Sequence, residues 1–190
     1  MTSKMDIPTN QGVVVDNVMR LVESGVAGIN IEDGPDAPGL LTAKIEALRN
    51  AISKAGTDLF INVRSDVFLA GLVEKPGQVE ESIRRGRIYT SAGADGLFLP
   101  GIVASGDIEA VVREVSVPLN VMAWPGLAAA GELGMLGVRR LSAGSGIAQM
   151  LWGAAQRLAE HFLRTGCSTG MMEGTMSYSQ LQGLFVGRPG

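Results

Sequence analysis

Apolar residues recur along this chain in two rhythms. At Val14, Val18, Leu21 and Val22, and again at Leu41, Ile45, Leu48 and Ile52, they return every three or four positions. That spacing predicts helices over about 12–24 and 40–55. Ile147, Leu151, Ala154, Leu158 and Phe162 mark a third, longer helix reaching about residue 164. Weaker versions of the pattern fall near 78–92, 105–114 and 127–135, and a short amphipathic one carries Tyr178, Leu181, Leu184 and Phe185. Between the helices lie short apolar runs that predict strands at about 27–32, 59–63, 97–99, 118–122 and 138–142. Gly25, Gly93 and Gly137 each stand where a left-handed residue can close the preceding helix before a strand begins.

Strand followed by helix, repeated, predicts an α/β fold with a parallel sheet and right-handed crossovers. Doubly wound sheets and (β/α)8 barrels both satisfy that alternation. A closed barrel uses about 250 residues, more than the 190 present, and the chain reads as a single domain over 1–190. Chemistry in parallel sheets is placed at the carboxyl ends of the strands. Two strands deliver polar groups there: Glu32 and Asp33 after the first, and Arg64, Ser65 and Asp66 after the second.

Composition narrows the classes. A net charge of -3 makes no electrostatic case for nucleic acid or an anionic membrane. No apolar stretch approaches the roughly 18 residues that span a bilayer, and the start of the chain has no apolar signal core. A lone Cys167 excludes an internal disulfide and a multi-cysteine zinc site. A cytoplasmic protein is the expectation.

Several stretches, in order and spacing, resemble the isocitrate lyase and phosphoenolpyruvate mutase superfamily: GVAGINIEDG (25–34), FINVRSDVFLAG (60–71), YTSAGADGLFLPG (89–101), PLNVMAWPG (118–126) and LGVRRLSAGSGIAQ (136–149). The similarity is greatest to the branch of carboxyvinyl-carboxyphosphonate phosphorylmutase-like and oxaloacetate-acting proteins. It implies a (β/α)8 barrel of the TIM type, here lacking the first two strands and most of the third, with a C-terminal helical segment at about 171–187. It also implies a Mg²⁺-dependent lyase or phosphonomutase that acts on a small 2-oxo (di)carboxylate through a metal-stabilised enolate. By the same register Asp6 and Glu32 hold the metal, Arg64 binds the substrate carboxylate, and Asn62 and Asn120 line its site; the catalytic residues are Arg64 and Glu32. Pro8 stands where the family has a second acidic loop residue. The Lys-Arg-Cys-Gly-His stretch of true isocitrate and methylisocitrate lyases is missing, which argues against those two activities. Subunits of the family exchange their last helix, so a homo-oligomer is implied, with Tyr178–Phe185 as the exchanged segment. The alternative is a catalytically inactive relative that serves as an oligomerising or binding module.

The residues themselves leave choices open. Glu32 and Asp33 can face a site or cap nearby amides at the start of a loop, and the family register assigns Glu32 to the site and Asp33 to structure. A guanidinium at Arg64 presents a planar fork suited to a carboxylate, or closes the mouth as an ion pair with Asp66 or Glu32. His161 reads as a packing histidine and Cys167 as a loop residue without a partner. Trp124 reads as a residue of the mouth and Trp152 as helix packing.

Overall fold

A computed structural model describes residues 11–186, and the chain divides after Ala143 into two compact units. In the first, α1 (Gln11–Glu23) precedes five strands: β1 (Gly28–Glu32), β2 (Phe60–Arg64), β3 (Gly96–Leu99), β4 (Leu119–Met122) and β5 (Arg140–Ser142). The connecting helices are α2 (Pro38–Ala55), α3 (Gln78–Ser91), α4 (Ser105–Glu114) and α5 (Ala130–Met135). All four strand pairs are parallel, and the order across the sheet is β1-β2-β3-β4-β5. A doubly wound sheet reverses its strand order at a switch point. An order that never reverses is an arc of a (β/α)8 barrel, which decides between the two architectures.

Local sequence explains the joints. Pro38 opens α2 at a position where its missing N–H is no loss. Gly25, Gly93 and Gly137 adopt φ of 87°, 110° and 91°, as their place before strands predicts. β5 is shorter than its apolar run, because Val138 donates its N–H back to Leu133 at the end of α5 and its side chain is buried. The helix-facing side of the sheet is apolar. Ile61 and Val63 pack with Leu41, Ile45, Leu48 and Ile52 of α2, whereas Leu97, Leu99, Leu119 and Val121 pack with Ile108 and Val111 of α4 and Leu133 of α5.

The second unit holds α6 (Gly146–Thr165), a 3-10 turn at Thr169–Met172 and α7 (Tyr178–Gly183). In the C-terminal segment expected at about 171–187, Glu173 is extended, Gly174 has φ of 66°, and a capping box of Ser177 with Gln180 opens α7. Trp152 is 76% exposed rather than packed. Among the described residues no helix is long and apolar enough to cross a membrane.

One carboxylate ties α3 to the strand ends. Asp33, 4% exposed, accepts from Ser65 Oγ (2.8 Å), the Asp66 backbone N–H (2.9 Å), Arg85 (2.7 Å) and Tyr89 OH (2.8 Å). Burial, and then the charge of Asp33, push the Tyr89 phenol well above its usual range. Burial alone would lower the Arg85 guanidinium, but its hydrogen bonds to Glu81 and Asp33 outweigh that and raise it. Removing one partner of such a buried pair costs roughly 3–5 kcal/mol, because the other charge stays behind.

Glu81 extends this network on α3. Its hydrogen bond to Arg84 holds its carboxyl down from 4.5 to about 2, with burial opposing and Arg85 adding to the fall. A carboxyl depressed in the folded state stabilises above its unfolded value and loses that contribution as pH falls. Glu81→Gln is therefore expected to destabilise the protein at pH 7 by about 1.5–3 kcal/mol, the range for a charge-assisted hydrogen bond. Urea unfolding should show the gap to wild type closing as pH drops from 4.5 to about 2.

Candidate functional site at the carboxyl ends of the strands

Parallel pairing puts Glu32 opposite Arg64 and Asn30 opposite Asn62. Arg64 thus lies inside β2 as its last residue, not just beyond it. Its Nη1 stands 3.1 Å from Glu32 Oε2, while Nε and Nη2 donate to the two oxygens of Asp66 at 2.7 and 3.2 Å. Both ion pairs that the sequence leaves open are made at once. The three side chains differ in access: Glu32 is 41% exposed, Arg64 28% and Asp66 11%. Burial alone would lower the Arg64 guanidinium, but the hydrogen bond and charge of Asp66, then Glu32 and Asp33, raise it. The mouth therefore has a fixed cation, an accessible carboxylate and a second carboxylate that orients the cation.

Below this pair runs a polar ladder. Asn62 Nδ2 donates to Asn30 Oδ1 (2.8 Å) and to Asn120 Oδ1 (3.1 Å). Asn120 Nδ2 lies within donating distance of the carbonyls of Val121 and Arg140 and of Ser142 Oγ, at 2.7, 3.2 and 2.9 Å. Asn62 and Asn120 are each 2% exposed, and their bond crosses β3, which carries no side chain at Gly96. A Cβ there would lie 2.7 Å from Asn62 Oδ1 and 3.1 Å from the Phe60 ring. Gly96 is the gap that lets the ladder close.

The structure brings Glu32 and Arg64 together, and joins Asn62 to Asn120. Asp33 is structural. Asp6 lies outside the described residues. Trp124, just past β4, is 43% exposed. His161 is exposed rather than packed, and the Cys167 thiol lies 3.3 Å from Thr169 Oγ1, so the cysteine has a partner after all. Thr169 first, and then His161, lower that thiol to about 7. Asn30, Gly96 and Ser142 escape a reading by periodicity, because each is ordinary until the neighbouring strand is known. Lys44 also escapes it: three residues after Leu41 and four before Leu48, it falls on the buried face of α2 and is 7% exposed. Among the described residues no three acids, histidines or cysteines cluster to hold a metal.

Gly96→Ala is expected to cost about 1–3 kcal/mol by overpacking. In a double-mutant cycle with Asn62→Ala the two losses should fall short of additive by at least about 0.5 kcal/mol, since the smaller side chain removes the clash. Additive losses would separate Gly96 from the ladder.

A family model described as phosphoenolpyruvate phosphomutase matches residues 7–163. An uncharacterized protein of Mycobacterium tuberculosis is 30% identical over 177 residues, which are 91% of this chain and 63% of that protein. Oxaloacetate decarboxylase of Ectopseudomonas mendocina is 31% identical over 135 residues, 66% of this chain and 45% of the enzyme. Among solved structures, a Burkholderia cenocepacia protein assigned as a lyase or mutase superposes with a TM-score of 0.81 at 28% identity, over 93% of this chain and 66% of that one. The chain thus spans 63% of the length of its M. tuberculosis relative.

Proposed function

The chain belongs to the phosphoenolpyruvate phosphomutase family, and we propose that its mouth serves a Mg²⁺-dependent lyase or mutase acting on a small 2-oxo dicarboxylate by way of an enolate. The observation that carries this reading is the Glu32–Arg64 pair, 3.1 Å apart at the carboxyl ends of adjacent parallel strands. Asp66 holds two edges of the Arg64 fork, so the nitrogen turned to Glu32 is the one a substrate carboxylate would take. In giving up that contact, Glu32 becomes free to face a cation. The oxaloacetate decarboxylase relative supports a 2-oxo dicarboxylate as the substrate class.

The donor set fits Mg²⁺. That ion takes hard oxygen ligands, keeps several waters and needs only one or two carboxylates. Glu32 is the accessible carboxylate, with Asp6 as its proposed companion, whereas Asp33 and Asp66 are already held by Arg85 and Arg64. Bound there, Mg²⁺ would supply positive charge opposite a developing enolate oxygen. Asn62 and Asn120 form the floor beneath the substrate and keep the strand ends at fixed spacing, with their amide donors engaged in the ladder. A cytoplasmic location belongs to the same proposal.

Calorimetric titration of oxalate, an enolate mimic, in the presence of Mg²⁺ tests the site. Wild type is expected to bind, and Arg64→Ala to lose at least about tenfold in affinity, the scale of one charge-assisted hydrogen bond. Absence of binding to both would overturn the enzymatic reading and favour a binding module.

A homo-oligomer with exchanged C-terminal helices is part of the proposal. Its support is the apolar surface of the second unit, where Ile147, Leu151, Tyr178, Leu184 and Phe185 are 64%, 57%, 78%, 67% and 79% exposed. Sedimentation is expected to show a dimer or larger species, and a monodisperse monomer would overturn it.

A further inference from the structure

Asp33 does more than anchor α3. Its backbone N–H donates to the Arg64 carbonyl (3.2 Å), its Oδ2 accepts from Ser65 Oγ (2.8 Å), and its Oδ1 accepts the Asp66 N–H (2.9 Å). Three consecutive residues, beginning with the arginine of the mouth, are thus each held by one residue at the end of the neighbouring strand. Holding α3 takes only Arg85 and Tyr89, which reach Oδ2 at 2.7 and 2.8 Å. The other bonds fix the loop after β2. Their effect passes to Arg64 through Asp66, whose two carboxylate oxygens take Nε and Nη2 and set the plane of the guanidinium.

Every group around the Asp33 side chain is a donor: a hydroxyl, a backbone amide, a guanidinium and a phenol. An ionised carboxylate accepts at both oxygens, whereas the amide of an asparagine would turn its NH2 toward one of those donors. We propose that Asp33 is a positioning residue for the site at the mouth: through the Asp66 backbone it holds Arg64 in the orientation that a substrate carboxylate meets. This rests on the mouth as the substrate site, and adds to it a residue that acts only through its neighbours. A guanidinium held in advance loses less freedom on binding than one that the ligand must order.

NMR of the Arg64 Nε–H, identified by its absence from Arg64→Ala, reads the orientation without any ligand. In wild type this proton is expected to exchange slowly, because Asp66 accepts it. Asp33→Asn should speed its exchange at least about tenfold, the scale of one charge-assisted hydrogen bond. The Arg49 Nε–H, bonded to the Gly93 carbonyl, should stay as it is in wild type, which separates the effect from general loosening. Oxalate titration with Mg²⁺ reads the consequence. Asp33→Asn should lose about tenfold in affinity on its own. Added to Arg64→Ala it should cost less than about twofold, because a positioning residue then has nothing left to act on. Should Asp33→Asn fail to fold, Tyr89→Phe stands in for it: the ring stays in the core, one donor to Asp33 is lost, and both readouts should move the same way by a smaller factor. Unchanged exchange at Arg64 in the variant that folds, or equal losses of affinity with and without Arg64, would overturn the proposal and leave Asp33 as an anchor of α3 alone. If wild type binds no oxalate, the reading of the mouth falls, and the exchange at Arg64 still decides whether Asp33 orients it.

Discussion

Four donors converge on the Asp33 carboxylate, and the mouth of the sheet depends on that convergence. Ser65 and the Asp66 backbone bring the loop after β2 to the end of β1, while Arg85 and Tyr89 bring α3 to the same point. Asp66 is thereby fixed at its backbone, which leaves its side chain to grip Arg64. The orientation of Arg64 at the mouth is thus set by a carboxylate that does not touch it. Ionised acceptors bound to several donors make the stronger hydrogen bonds in proteins, and this one joins two strand ends and a helix.

The two faces of the sheet divide the labour. Toward the helices, Ile61, Val63, Leu97, Leu99, Leu119 and Val121 exclude water and contribute most of the stabilisation, at roughly 1.5–3 kcal/mol for each large apolar side chain fully buried. The opposite face carries amides and charges. Buried amides are tolerable only when their hydrogen bonds are made, and Asn62 and Asn120 satisfy one another across a strand that has a glycine where a side chain would intrude. A rigid polar floor under the Glu32–Arg64 pair follows from that single absence of a Cβ.

Charge pairing also separates structural groups from sites. Arg85 and Asp33 are buried and matched, which anchors a helix. Arg64 is matched but accessible at its Glu32 edge, which leaves it able to exchange partners. Lys44 is buried on α2 and has no ion pair among the described residues. The three cations sit within one unit and differ in what the fold has placed beside them.

Much of this was legible in the sequence. The periodicities at Leu41–Ile52 and at Leu59–Val63, and the glycines before three strands, are local signals, because a helix or strand side chain faces the core according to its near neighbours. The acid pair after β1 and the arginine of β2 were visible for the same reason, as polar groups at the end of apolar runs. Strand order was not: alternation is equally compatible with a barrel and a doubly wound sheet, and only hydrogen bonding between strands 30 or so residues apart tells them apart. Tyr178, Leu181 and Leu184 mark a short helix near the end of the chain by the same local signal, and the structure has it at Tyr178–Gly183. Sequence alone determined which segments are strands and helices and which residues stand at their ends. Tertiary structure decided that Arg64 meets Glu32 and Asp66 together, that Asn62 reaches Asn120 over Gly96, and that Asp33 gathers Ser65, Arg85 and Tyr89. Those pairings join residues far apart in the chain, and a side chain's partner is fixed by register and packing that no local pattern contains.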